Sequence, residues 1–109
     1  MNVLQIINTP GPLPLKTQFN APLDGPALLV VTGSLWSNTA NVMLVLFVYL
    51  DSQQIATVQI FSNGASTHRV LPTLFLGINL TEGSHVLTLS AGNNANSDGN
   101  DTFNASLIY

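Results

Sequence analysis

Cysteine is absent from the 109 residues. That removes disulfides and thiolate metal ligands, and it leaves the redox compartment unmarked. Charge is almost as scarce. Only 6% of residues are charged, against roughly 25% in ordinary soluble domains. Lys16 and Arg69 are the only two basic side chains, and the formal net charge is −3. Nucleic-acid binding needs several phosphate-neutralising cations and is excluded on that count. The longest apolar run, Val42 to Leu50, is about half of the ~20 residues a membrane helix needs. A single-chain transmembrane barrel would need more strands than this length comfortably supplies. The start, Met1-Asn2-Val3-Leu4-Gln5-Ile6-Ile7, has no positive n-region, and Asn8-Thr9-Pro10 interrupts it. No secretory signal of the usual kind is expected, which leaves cytoplasmic, virion and non-classically exported locations open.

Little charge beside 46% hydrophobic residues means membrane, disorder or extensive burial. Disorder fails because β-branched and aliphatic residues are abundant. Extensive burial remains, and it implies that other subunits cover part of the surface. The length fits one domain, residues 1–109, with a single core.

Helical periodicity is also missing, and strand periodicity takes its place. In Ser84-His85-Val86-Leu87-Thr88-Leu89-Ser90-Ala91 the residues Leu87 and Leu89 fall on one parity; Phe103, Ala105, Leu107 and Tyr109 do so in the last segment. A period of two marks half-buried strands, with Leu87, Leu89, Phe103 and Leu107 as core anchors. Earlier strands are expected at Val3–Ile7, Lys16–Asn20, Ala27–Trp36, Val42–Leu50, Ile55–Ser62 and, interrupted by Pro72, Arg69–Leu80. Pro10, Pro12 and Pro14 belong at an edge or across the end of the fold, because proline gives no ladder donor. Asp24-Gly25 and Asn63-Gly64 mark turns. Gly33 suggests a bulge or a close approach of another backbone. Val42–Leu50 is apolar at every position, so both of its faces should be covered, the second by a neighbouring subunit. About eight short strands with frequent turns predict a β-sandwich or barrel.

Candidate binding residues lie in three loops, 37–41, 63–69 and 92–101. Trp36 and Asn38 could offer an aromatic face beside an amide, the pairing that suits a sugar's apolar face and polar rim; that Trp36 caps the sandwich end or sits in a subunit contact is the reading we favour. His68 and Arg69 follow a polar loop. Arg69 is a fork for a hydroxyl or carboxylate, or it is ion-paired with Asp98 or Asp101, the reading we favour. Asp98, Asn100 and Asp101 lie in the most polar stretch. There Asn94-Ala95-Asn96-Ser97-Asp98-Gly99 matches the first half of a calcium loop. The bidentate Glu is missing, since Ala105 stands in its place, and a long hairpin loop whose Asn and Asp side chains bond their own backbone is the better reading. No metal site or cofactor is expected. His85 is read as a satisfied interior or interface histidine. With no Gly-x-Ser-x-Gly and five acids in all, no catalytic constellation emerges.

Leu50-Asp51 through Phe61-Ser62-Asn63, then Ser66-Thr67-His68-Arg69, Glu82-Gly83-Ser84-His85-Val86-Leu87-Thr88-Leu89 and Asn100-Asp101-Thr102-Phe103-Asn104 resemble small bacterial and phage-associated jelly-roll domains of the tumour-necrosis-factor and C1q class. The resemblance spans roughly residues 27–109 as a pattern. It implies an all-β, eight-stranded antiparallel jelly-roll sandwich and a homotrimer. Some bacterial members of that class are lectins. Two functions follow: a non-enzymatic carbohydrate-binding (lectin-like) module, or a structural protein of a virion, appendage or scaffold with no small ligand.

Overall fold

A computed structural model describes all residues, Met1 to Tyr109. Its ten strands are β1 (Val3–Pro10), β2 (Leu15–Ala21), β3 (Gly25–Thr32), β4 (Ser34–Leu35), β5 (Val42–Leu50), β6 (Gln53–Ser62), β7 (Arg69–Val70), β8 (Leu74–Leu80), β9 (Gly83–Ala91) and β10 (Thr102–Ile108). Eight of them form two four-stranded antiparallel sheets, ordered β1-β10-β3-β8 and β2-β9-β5-β6. That alternation of strands between two sheets is a jelly roll. The expected count of eight is corrected to ten by the short pair β4–β7.

The extra pair exists because the strand expected over Ala27–Trp36 breaks at Gly33. A Cβ there would lie 2.5 Å from the ring of Phe103, a fully buried residue at the centre of the core. The close approach expected at Gly33 is to a ring, not to another backbone. After the break, the chain leaves the β3 ladder and pairs with β7.

A second correction concerns the last third of the chain. β9 and β10 belong to different sheets: β9 lies between β2 and β5, and β10 between β1 and β3. The 92–101 segment is therefore a crossover from one sheet to the other and not a hairpin loop. Alternation shows which side chains face inward, and it is silent on which strand is the neighbour.

The inward faces carry one core, including Leu29, Val31, Leu44, Leu46, Val48, Leu87, Leu89, Phe103 and Leu107. All four expected anchors are fully buried. The prolines lie where ladder donors are not needed. β1 and β2 are edge strands of opposite sheets, and residues 11–14 cross between them.

In β5, Leu44, Leu46 and Val48 are buried, whereas Met43 on the other face is 43% exposed. Val45, Phe47 and Tyr49 share that outer face and are only partly covered. Met43 pairs across the ladder with the exposed Phe61. The chain by itself thus covers one face of β5 and leaves the other open.

Candidate functional site

The three candidate loops meet at one end of the sandwich. The amide of Ser66 donates to the carbonyl of Ser37 (2.6 Å), joining loops 63–69 and 37–41. Trp36 and Asn96 exchange two backbone hydrogen bonds (3.0 and 2.7 Å), joining the end of β4 to the crossover. The proline-rich crossing adds a third tie. There the amide of Gly11 donates to the Asp101 carbonyl (2.7 Å), and that of Leu13 to Ser97 Oγ (2.7 Å).

Asp101 is the centre of this end, with no exposed surface. A buried carboxylate must find donors, and three converge on it. Ser34 Oγ donates to Oδ1 (2.6 Å), the Asp98 amide donates to Oδ2 (2.9 Å), and His68 Nδ1 lies 2.7 Å from Oδ1. Because a carboxylate only accepts, Nδ1 carries the proton. The hydrogen bond from His68 to Asp101 holds the imidazole above its usual range, with the charges of Asp101 and Asp98 adding to it. Asp98 Oδ2 lies 3.9 Å from His68 Nε2. The His68 and Asp98 side chains are 37% and 43% exposed. Against His68 stands Trp36, with ring centroids 5.7 Å apart and planes inclined by 36°. The indole Nε1 of Trp36 is buried and donates to nothing.

The structure therefore brings Trp36, His68, Asp98 and Asp101 into one constellation. Asn100 stands at its margin, exposed, its amide donating to Asp98 Oδ1 (2.8 Å). Asn38 is exposed in the adjoining loop and makes no side-chain hydrogen bond. Arg69 needs a correction: it forms no ion pair with Asp98 or Asp101, because His68 occupies that position. Arg69 lies in β7, paired with Leu35 of β4. Consecutive strand residues point to opposite faces, so only one of His68 and Arg69 can reach the acids.

Residues of the half-calcium pattern take part in local backbone bonding. Asp98 caps the amide of Asn100, and Asn96 is held to Trp36. His68, Asp98 and Asp101 could each offer one ligand atom, all within 4.8 Å of one another. Asp101 is already committed to three donors. That leaves His68 Nε2 and Asp98 Oδ2, fewer than the three protein ligands of a catalytic zinc site.

Sequence reasoning did not find Ser34, whose hydroxyl helps to neutralise Asp101, because only the break at Gly33 turns it that way. It also left His85 without a partner. The ring Nδ1 of His85 lies 2.5 Å from Asp51 Oδ2, and Nε2 lies 2.7 Å from the carbonyl of Thr81. Both neighbours are acceptors, so both nitrogens are protonated and His85 is an imidazolium. The Asp51 hydrogen bond is the main reason its pKa is raised, followed by the Thr81 carbonyl. The same bond holds the Asp51 carboxyl below its usual range. This clamp lies at the opposite end of β9 from the crossover.

No protein-family model matches the chain, and no curated protein does. Solved structures do. A family 35 carbohydrate-binding module from Clostridium thermocellum superposes with a TM-score of 0.55 at 14% identity, covering 99% of this chain and 88% of that one. A cycloisomaltooligosaccharide glucanotransferase of Paenibacillus sp., complexed with cycloisomaltoheptaose, gives 0.53 at 14% identity. The match takes in 98% of this chain but only 18% of the enzyme's length. At such identities the likeness establishes the β-sandwich fold.

Proposed function

We propose that this protein is a non-enzymatic carbohydrate-binding module that takes its ligand at the loop end, around Trp36, His68 and Asp98. The observation that carries the reading is the convergence of three separate loops on a single aromatic–imidazole–carboxylate constellation. Its parts match a sugar: a ring face for the apolar side, and partly exposed polar groups for hydroxyls. The fold shared with a carbohydrate-binding module supports the same class. A binding role suits the dyad better than catalysis, since no hydroxyl or thiol is hydrogen-bonded to His68 to act as a nucleophile.

We further infer a homotrimer of tumour-necrosis-factor type. The outer face of β5 and β6 supports association, with Met43, Val45, Phe47, Tyr49 and Phe61 and no charged side chain on either strand. Exposed apolar area of this kind marks interaction surfaces. The same face favours the second reading, a structural assembly protein in which association is the function. Light scattering at micromolar concentration checks the oligomer, and a monomer would overturn it. A glycan array probed with the wild type, Trp36→Ala and His68→Ala checks the binding role. Binding that both variants weaken is expected; a silent array, or binding that neither variant alters, would leave assembly as the function.

A further inference from the structure

A cleft of about 450 Å³ opens between β6 and β8, the edge strands on the same side of the two sheets. It is separate from the loop end and shares no residue with it. Its polar lining is Asp51, Gln53, Gln54 and Asn79, and Ile55, Leu76 and Ile78 supply apolar surface. That volume lies within the range of small-ligand pockets, roughly 300–1,000 Å³.

Two backbone features shape the cleft. Ala56 pairs with Val48 and Gln54 with Tyr49, so Ile55 is an extra residue bulging from β6. On the facing strand, Gly77 lines the cleft, and a Cβ there would meet no atom within 4 Å. Bulges and strand glycines recur where a ligand comes close to the backbone. The two-residue hairpin entering β6 has Asp51 and Ser52 at positive φ (50° and 69°), as a type I′ turn requires.

The chemistry of the walls selects a ligand class. Asp51 is the one charged residue in the lining, and its charge is already balanced by His85. A charged ligand would find no partner. Gln53 and Asn79 have side-chain amides with no internal hydrogen bond, and Gln54 uses only its NH2, toward Thr57. Amides both donate and accept, as hydroxyl groups do. An added peptide strand fits less well, because the bulge at Ile55 interrupts the regular edge it would pair with.

We propose that this cleft is a second binding site, one that takes a short neutral saccharide through the amides of Gln53, Gln54 and Asn79. It makes the module bivalent within one chain, with one site at the loop end and one at the open side of the sandwich. Either site can fail without the other, because no residue serves both.

The test is a ¹H–¹⁵N titration of the intact protein with short linear gluco-, manno- and galacto-oligosaccharides, and in parallel with an uncharged extended peptide. The side-chain amides of Gln53 and Asn79 and the backbone amide of Gly77 should shift saturably with at least one of the sugars. Gly77→Leu, which fills open space, should weaken that affinity about tenfold, the equivalent of about 1.4 kcal/mol. Asn79→Ala, at an exposed position, gives the same reading should Gly77→Leu fail to fold. Trp36→Ala should leave the cleft shifts in place. Cleft resonances that no sugar moves, or that only the peptide moves, would overturn the proposal. Shifts that vanish in Trp36→Ala would overturn the independence of the two sites.

Discussion

The two histidines hold opposite ends of the molecule in opposite ways. At the loop end the acid is buried and the base exposed: Asp101 has no accessible surface, and the His68 side chain keeps 37% of its own. At the turn end the base is the more covered partner and the acid is exposed, with His85 at 11% and Asp51 at 49%. Both nitrogens of His85 are consumed by protein acceptors, so this clamp ties the β5–β6 turn to β9 and offers nothing to a ligand. One nitrogen of His68 is consumed, and the other has only Asp98, at 3.9 Å. Two similar residue pairs thus differ in what they leave available, and that difference separates a fastening from a site.

Removing the acids should break the symmetry of the comparison most. Asp101→Ala strands Ser34 Oγ, the Asp98 amide and His68 Nδ1 together, and a loss of about 3 kcal/mol is expected, at the upper end for stranded buried partners. Asp51→Ala removes a half-exposed partner and should cost about 1 kcal/mol. Urea unfolding of the two variants measures both values. Equal losses would mean that burial does not distinguish the clamps.

Exchanging the bases should sharpen the contrast. His85→Ala should lower stability by about 1 kcal/mol, since the acceptors it leaves, Asp51 and the Thr81 carbonyl, are exposed, and should leave sugar affinity at the loop end unchanged. His68→Ala should also lower stability, because it takes one of three donors from the buried Asp101, but unlike His85→Ala it should reduce affinity about tenfold. Calorimetric titration beside thermal unfolding separates the two effects.

The dependence on pH is smaller and shared. Both histidines have raised pKa values in the folded state, so their stabilisation is complete below the ordinary imidazole value of 6.5 and is lost as pH rises through the folded values. Asp51 is lowered from 3.8, so its contribution is present above that value and lost as pH falls through the folded one. Stability should be greatest between about pH 4 and about pH 6.5 and decline as pH rises further. The His85→Gln variant should flatten the alkaline decline more than His68→Gln, because His85 faces two acceptors. Melting temperatures across that range give the answer, and an unchanged slope in His85→Gln would contradict the imidazolium assignment.

The fold was legible in the chain where burial alone decides the pattern. Leu87, Leu89, Phe103 and Leu107 declare their inward faces through alternation, and the prolines at 10, 12 and 14 declare an edge. The partner of each strand was not legible, since alternation is the same whether β9 and β10 pair or part. At the site, the residue types were legible and the pairing was not. Asp98 or Asp101 was expected to meet Arg69, the only arginine, yet the parity of β7 and the loop before it bring His68 to Asp101. Ser34 reaches Asp101 because Gly33 yields to the ring of Phe103, a contact between residues 70 positions apart that no local pattern encodes. The His85 clamp joins β9 to a turn 34 positions earlier in the chain, and the cleft at Gly77 joins the edges of two sheets. Such features belong to the topology and become visible only with it.

The loop-end claim is tested most directly by the indole proton of Trp36, because Nε1 is buried with no internal acceptor. Its ¹⁵N-correlated resonance can be followed as neutral oligosaccharides are added. The account predicts that this resonance shifts saturably with a sugar that binds, together with the His68 and Asp98 amides, and that His68→Ala weakens the response. A Trp36 indole signal that stays fixed while the protein binds sugar elsewhere, or binds none at all, would contradict it.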